Sequence, residues 1–175
     1  MRKSLLICLI MMSMITFTRP RYRIDSTLVY GLEFNINNND QIDNFILLTL
    51  GFMPEYRYDY SRKLDFTFGP KISLMGGVAI KNNGAIYYLG RGSLNFILRG
   101  ETNYEIKRGL KVYGGAEIGV GVFFEHVNNI NKSLDGNHVA IAKGIVGLKI
   151  DKCNIGLVSG YENKFVIGIE TGYTF

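Results

Sequence analysis

The chain has 175 residues and a mass of 19.7 kDa, room for one domain with a substantial core. Hydrophobic residues make up 47% and charged residues 20%, with 11 Tyr, 11 Phe and 21 Gly, a composition that excludes disorder and suits many short strands better than a helical bundle. The net charge is +5, yet Arg2/Lys3, Arg62/Lys63 and Lys107/Arg108 are the only adjacent basic pairs, which argues against nucleic acid as a partner.

Residues 1–18 open with Met1, Arg2 and Lys3 and continue through an apolar run to Phe17, the pattern of a secretory signal peptide. The apolar run reaches only about 21 Å as a helix, short of the ~30 Å hydrocarbon core, so it reads as a signal and not a span. No small-x-small triplet marks cleavage, which leaves the cleavage position open. Residues 19–25 are read as a lead-in, and 26–175 as the domain. With Cys8 in the signal, Cys153 is left without a partner and implies no disulfide.

From Ser26 the hydrophobic pattern has period two, the signature of strands with two unlike faces. In the first run Leu28, Tyr30, Leu32, Phe34 and Ile36 oppose Val29, Gly31, Glu33 and Asn35. After 37–44, a second run sets Ile46, Leu48, Leu50, Phe52, Tyr56 and Tyr58 against Phe45, Leu47, Thr49, Gly51, Met53, Glu55 and Arg57. A turn at 61–63 leads to Leu64, Phe66, Phe68, Ile72 and Leu74, opposed by Asp65, Thr67, Lys71 and Ser73. A long glycine-bearing connection spans 76–92. The fourth run places Leu94, Phe96, Leu98, Tyr104 and Ile106 against Asn95, Ile97, Arg99, Glu101, Asn103 and Glu105. Beyond the turn at 107–109, Leu110, Val112, Ile118, Val120, Val122 and Phe124 oppose Lys111, Tyr113, Gly115, Glu117, Gly119, Gly121 and Phe123. The loop 125–138 is followed by three shorter runs, in which Val146, Leu148 and Ile150, then Ile155 and Leu157, then Phe165, Ile167, Ile169, Tyr173 and Phe175 form the apolar face.

Alternation alone does not say whether the apolar face points inward or outward. Three features favour outward. Short connections (61–63, 107–109, 151–152) alternate with long ones (37–44, 76–92, 125–138), as the turns and loops of a membrane barrel do, with the final external loop, Glu162 to Lys164, departing by being short. The opposite face holds seven acids and seven bases: Glu33, Glu55, Asp65, Glu101, Glu105, Glu117 and Glu170 with Arg57, Lys71, Arg99, Lys107, Lys111, Lys143 and Lys149. Such a match is demanded where charges are packed together away from water, because a stranded buried charge costs several kcal/mol. Aromatics gather near the ends of the apolar face, with Tyr58, Tyr60, Tyr104, Tyr173 and Phe175 at one end and Phe124, Tyr161 and Phe165 at the other. The expected fold is all-β: an eight-stranded antiparallel up-and-down transmembrane barrel. Glu33, Glu55, Arg57, Lys71, Arg99, Glu101, Glu117, Lys143 and Glu170 are expected to form an ion network inside it.

The end of the chain, Phe165 to Phe175, resembles the terminal strand of bacterial outer-membrane β-barrels, with Phe175, Tyr173, Ile169 and Ile167 on the matching positions and Thr171 a departure. The resemblance implies that these four residues are read by the barrel assembly machinery. The whole plan is similar to small eight-stranded barrels of the outer membrane protein A membrane-domain and opacity types. That resemblance implies a bacterial outer-membrane protein with extracellular loops, both termini in the periplasm, contact with outer-membrane lipid and lipopolysaccharide, and a monomeric state. The rival fold is a soluble barrel of lipocalin type, which would place Leu98 in a cavity and Glu101 in solvent.

Chemistry-bearing motifs are sparse. His126, Ser133, Asp135 and His138 share one loop, but His126 is followed by Val127 and Asn128, whereas lipid A deacylase barrels look like they need His-x-Ser on a strand. With Glu125 these residues match no metal-ligand spacing, and Gly90/Gly92 and Gly119/Gly121 lack the third glycine of a nucleotide-binding fingerprint. No catalytic, metal or cofactor site is expected. Tyr87, Tyr88 and Arg91 form an aromatic-basic set suited to lipopolysaccharide phosphates or a host ligand. The expected role is structural or adhesin-like surface interaction without enzymatic activity. A narrow porin-like channel for small solutes and a lipid A-modifying enzyme are the alternatives.

Overall fold

The computed structural model describes residues 20–34, 42–82, 86–127, 137–162 and 164–175, with the side chains of 32–34, 42–44, 79–82, 86–91, 125–127 and 137 left aside. The expected signal 1–18 lies outside them, as do Ser133 and Asp135.

Eight strands follow one another: β1 (Arg21–Phe34), β2 (Ile42–Asp59), β3 (Leu64–Asn82), β4 (Ile86–Lys107), β5 (Leu110–Val127), β6 (Asn137–Ile150), β7 (Cys153–Glu162) and β8 (Lys164–Thr174). Each pairs antiparallel with the next, and β8 returns to β1, so the sheet closes into a barrel without an edge. The closing seam is tied where Phe175 donates its amide to the Tyr22 carbonyl at 2.9 Å. No helix among the described residues is long and apolar enough to cross a membrane; any crossing is made by strands.

The strands are longer than period two alone suggested. β1 starts at Arg21 and not Ser26, so most of the supposed lead-in is barrel wall. The connection 76–92 is largely ladder, with β3 and β4 paired from Gly76↔Gly92 to Asn82↔Ile86. The loop 125–138 is shortened at both ends, since β5 runs to Val127 and β6 begins at Asn137. In the 76–92 stretch Gly76, Gly77, Gly90 and Gly92 carry no apolar side chain to mark a face, yet their backbones are part of the β3–β4 ladder.

The outward face is the apolar one. Leu28, Leu48, Leu50, Leu74, Phe96, Leu98, Ile118, Val120, Leu157 and Ile169 all stand exposed. An exposed apolar surface of that extent on a closed barrel is explained by lipid as the solvent. At the end with the short turns it is bordered by rings in contact: Tyr22 stacks on Phe52 at 5.8 Å, Tyr56 on Phe68 at 5.9 Å and Tyr173 on Phe175 at 6.3 Å. Amphipathic rings collect where acyl chains give way to headgroups.

The barrel is not equally tall around its circumference. β4 has 22 residues, about 70 Å of strand or roughly 55 Å of height at a ~40° tilt, whereas β7 with 10 residues rises only about 25 Å, the height of the apolar band itself. The short turns share one level, so the β3–β4 hairpin projects beyond the membrane on the opposite side.

Two prolines fall inside paired strands of this edgeless sheet. The β2–β3 register passes from Phe52↔Ile72 to Tyr56↔Phe68, which sets Pro54 opposite Pro70 in the gap between. Neither has an N–H, so a single interruption of the ladder accommodates both. Gly69 sits in the same gap, where a Cβ would lie 2.0 Å from the Pro54 carbonyl oxygen.

Candidate functional site

The interior has two storeys. Towards the long-loop end it is filled by Val29, Phe45, Leu47, Met75, Ile97, Phe123, Val139, Ile141 and Val166, each buried. Space for them comes from glycines on facing strands: a Cβ at Gly31 would lie 1.8 Å from the Phe45 ring, and one at Gly119 2.8 Å from the Ile97 Cα. Period two already sets Val29, Phe45, Leu47, Ile97 and Phe123 on the face that carries the charges, and the structure gathers them into this plug. Around Leu47 and Phe123 both faces are apolar, so their inward direction follows only from the parity of the run to which they belong.

Beneath the plug lies the charged storey, with Arg99 at its centre. Arg99 grips Glu170 as a fork, Nη1 to Oε2 and Nη2 to Oε1 at 2.7 Å each, and also donates from Nε to Glu101 at 2.6 Å and from Nη1 to Glu117 at 2.9 Å. Arg23 reaches the same cluster from β1, donating to Asp25 at 2.6 Å, Glu101 at 2.8 Å and Glu170 at 2.9 Å. Lys71 bridges Glu117 and Glu170 at 2.9 and 3.3 Å. Lys143 joins Glu162 at 2.9 Å and approaches Glu117 at 3.4 Å. Lys149 donates to Glu101 at 2.5 Å. Towards the short turns, Asp65 holds Lys111 and Arg57 together, and Asn103 and Thr67 carry hydrogen bonds from it back to Glu101.

Counted among the described residues, the carboxylates of Asp25, Glu55, Asp65, Glu101, Glu117, Glu162 and Glu170 face the cations of Arg23, Arg57, Lys71, Arg99, Lys111, Lys143 and Lys149, seven against seven. Desolvation of each charge costs several kcal/mol and is offset only by close opposite partners, and the bidentate and shared contacts supply them.

Of the residues proposed from sequence for this network, Glu55, Lys71, Arg99, Glu101, Glu117, Lys143 and Glu170 are buried together, while Arg57 is half-buried at the mouth with Asp59 and Asp65. Glu33 is on β1, its side chain undescribed. Sequence reasoning missed Arg23, Asp25 and Glu162. The signal for the first two is the alternation of Tyr22 and Ile24 with Arg23 and Asp25, which lies ahead of the run that begins at Ser26. Glu162 belongs by its sequence to the final external loop, whereas the structure makes it the last residue of β7 and buries it.

The remaining candidates are dispersed. His126 is on β5 opposite Gly90, and His138 stands exposed on the outward face of β6 in a groove with Ile72, Leu94, Phe96 and Val122. Tyr87, Tyr88 and Arg91 lie on the projecting part of β4, paired with Lys81, Ile80 and Gly77. Ile167, Ile169, Tyr173 and Phe175 are all exposed on the outward face of the closing strand. A cavity of about 130 Å³ opens at the short-turn mouth, lined among others by Glu55, Arg57, Asp65, Lys111 and Lys149.

A closed antiparallel barrel with eight strands, an apolar exterior and a charge-matched interior defines a transmembrane β-barrel. No family model matches the chain, and no curated protein matches it. Among solved structures it is similar to the outer membrane enzyme PagL, at 14% identity over 86% of this chain and 98% of that one, with a TM-score of 0.53. It is also similar to Neisserial surface protein A, at 9% identity over 90% of this chain and 98% of that one, with a TM-score of 0.50. At such identities the likeness is one of fold: the chain has the architecture of the small bacterial outer-membrane barrels.

Proposed function

We propose that the chain is an integral protein of the bacterial outer membrane that acts through its external surface as a structural or adhesin-like element, without enzymatic activity. In this reading the short turns and both termini are periplasmic and the β3–β4 hairpin is extracellular. The barrel is monomeric, and it is inserted by the assembly machinery through Ile167, Ile169, Tyr173 and Phe175. The observation that carries the proposal is the filled interior: an apolar plug above a neutral ion network leaves the outside as the surface available for recognition. The hairpin with Tyr87, Tyr88 and Arg91 is then the contact region for lipopolysaccharide or a host ligand.

The test has two parts. Membrane fractionation followed by electrophoresis with and without boiling is expected to give an outer-membrane protein with heat-dependent mobility; recovery in the soluble fraction with no shift would overturn the placement. A Tyr87→Ser, Tyr88→Ser, Arg91→Ser variant that keeps the shift is expected to retain purified lipopolysaccharide several-fold more weakly, and unchanged retention would remove the hairpin from the proposal.

The channel alternative is settled by conductance. In planar bilayers the barrel is expected to be silent, because a dry apolar constriction blocks ions by dewetting. Reproducible steps would make it a channel.

A further inference from the structure

The interior charges cancel, so the uncompensated charge of the described barrel lies elsewhere, on the rim at the short-turn end. Arg21 stands at the start of β1, Arg62 and Lys63 in the β2–β3 turn, Lys107 and Arg108 at the β4–β5 turn, and Lys152 in the β6–β7 turn, all exposed. Among the described residues none of the six makes an ion pair within the barrel. The same rim carries three acids, half as many: Asp59, Glu105 and Asp151. Asp59 is already engaged by Arg57 at 2.7 Å.

The arrangement is a ring. Because the strands close in sequence order, these four positions recur every second strand and surround the barrel. They lie just beyond the girdle of Tyr22, Phe52, Tyr58, Tyr104, Tyr173 and Phe175, at the depth where headgroups begin. A protein partner docking from one side would require cations concentrated on that side. A ring of unpaired cations is complementary to a partner that itself encircles the barrel. We infer that the short-turn rim binds anionic phospholipid headgroups, selecting the annular lipid of the leaflet it touches.

The inference rests on the membrane reading above, and the experiment separates the two. The chain has 11 Tyr and no Trp, so tyrosine fluorescence reports on the barrel. The full chain is reconstituted in vesicles, and quenching by brominated phosphatidylglycerol is compared with quenching by brominated phosphatidylcholine. The anionic lipid is expected to be preferred about three-fold at low salt, falling to parity near 0.5 M salt. Substituting Arg62, Lys63, Lys107 and Arg108 by Gln together is expected to remove most of the preference, with Arg21→Gln and Lys152→Gln removing the remainder. Heat-dependent mobility verifies that each variant is folded. Equal quenching by the two lipids in the unaltered chain would overturn the inference, as would a preference that survives all six substitutions. Loss of the entire preference on changing one turn alone would overturn the ring in favour of a one-sided site. Absence of quenching by either lipid would instead overturn the membrane placement.

Discussion

Replacing Arg99 by methionine is expected to destabilise the barrel by about 3–5 kcal/mol, read from urea unfolding in phospholipid vesicles as a lowered midpoint with an unchanged slope. The side chain is fully buried, and its loss leaves Glu170, Glu117 and Glu101 without the cation that all three share at 2.6–2.9 Å. Seven carboxylates would then face six cations in a space walled by strands and capped by an apolar plug. Methionine preserves much of the volume, so the loss is not that of a cavity. The second half of the argument is a rescue. Glu170→Gln in the same chain removes the carboxylate most dependent on Arg99 and is expected to return part of the loss, as a coupling of at least about 0.5 kcal/mol. A single-variant loss below about 1 kcal/mol would mean that the remaining cations rearrange to cover the gap and that Arg99 is no hub.

The second large effect concerns the outside. Ile118 is 61% exposed in the middle of β5, beside Leu98 of β4. In a water-soluble barrel, arginine at so exposed a position would be tolerated within about half a kcal/mol. On the lipid face near the midplane it is expected to cost about 2–4 kcal/mol. The same vesicle unfolding measurement distinguishes the two environments, and a neutral Ile118→Arg would show that this face meets water.

Much of the architecture is legible in the sequence because an outward apolar position and an inward polar one alternate strictly wherever the two solvents differ. Leu94 to Ile106 on β4 is the clearest case: Arg99 and Glu101 fall on the opposite parity from Leu98 and Tyr104, and the structure buries the first pair and exposes the second. Legibility fails where that contrast vanishes. Leu47 and Phe123 are inward residues flanked by outward residues that are equally apolar, so period two gives their direction by parity while no polarity contrast marks the plug as such. It fails again at 76–92, where glycines and asparagines extend a hairpin without declaring a face. Arg23 and Asp25 were hidden differently, by their place between an apparent signal segment and the first unmistakable run.

The neutrality of the charged storey also constrains how this protein can change over generations. A lone substitution among the fourteen groups strands a neighbour, so the steps open to a drifting lineage come as covarying exchanges. Those exchanges are not equally available. Lys143 and Glu162 meet at 2.9 Å near the margin of the network and can be traded as a couple for an uncharged one. Arg99 has no single counterpart to leave with it. The margins of the lattice are therefore free to diversify while its centre is frozen.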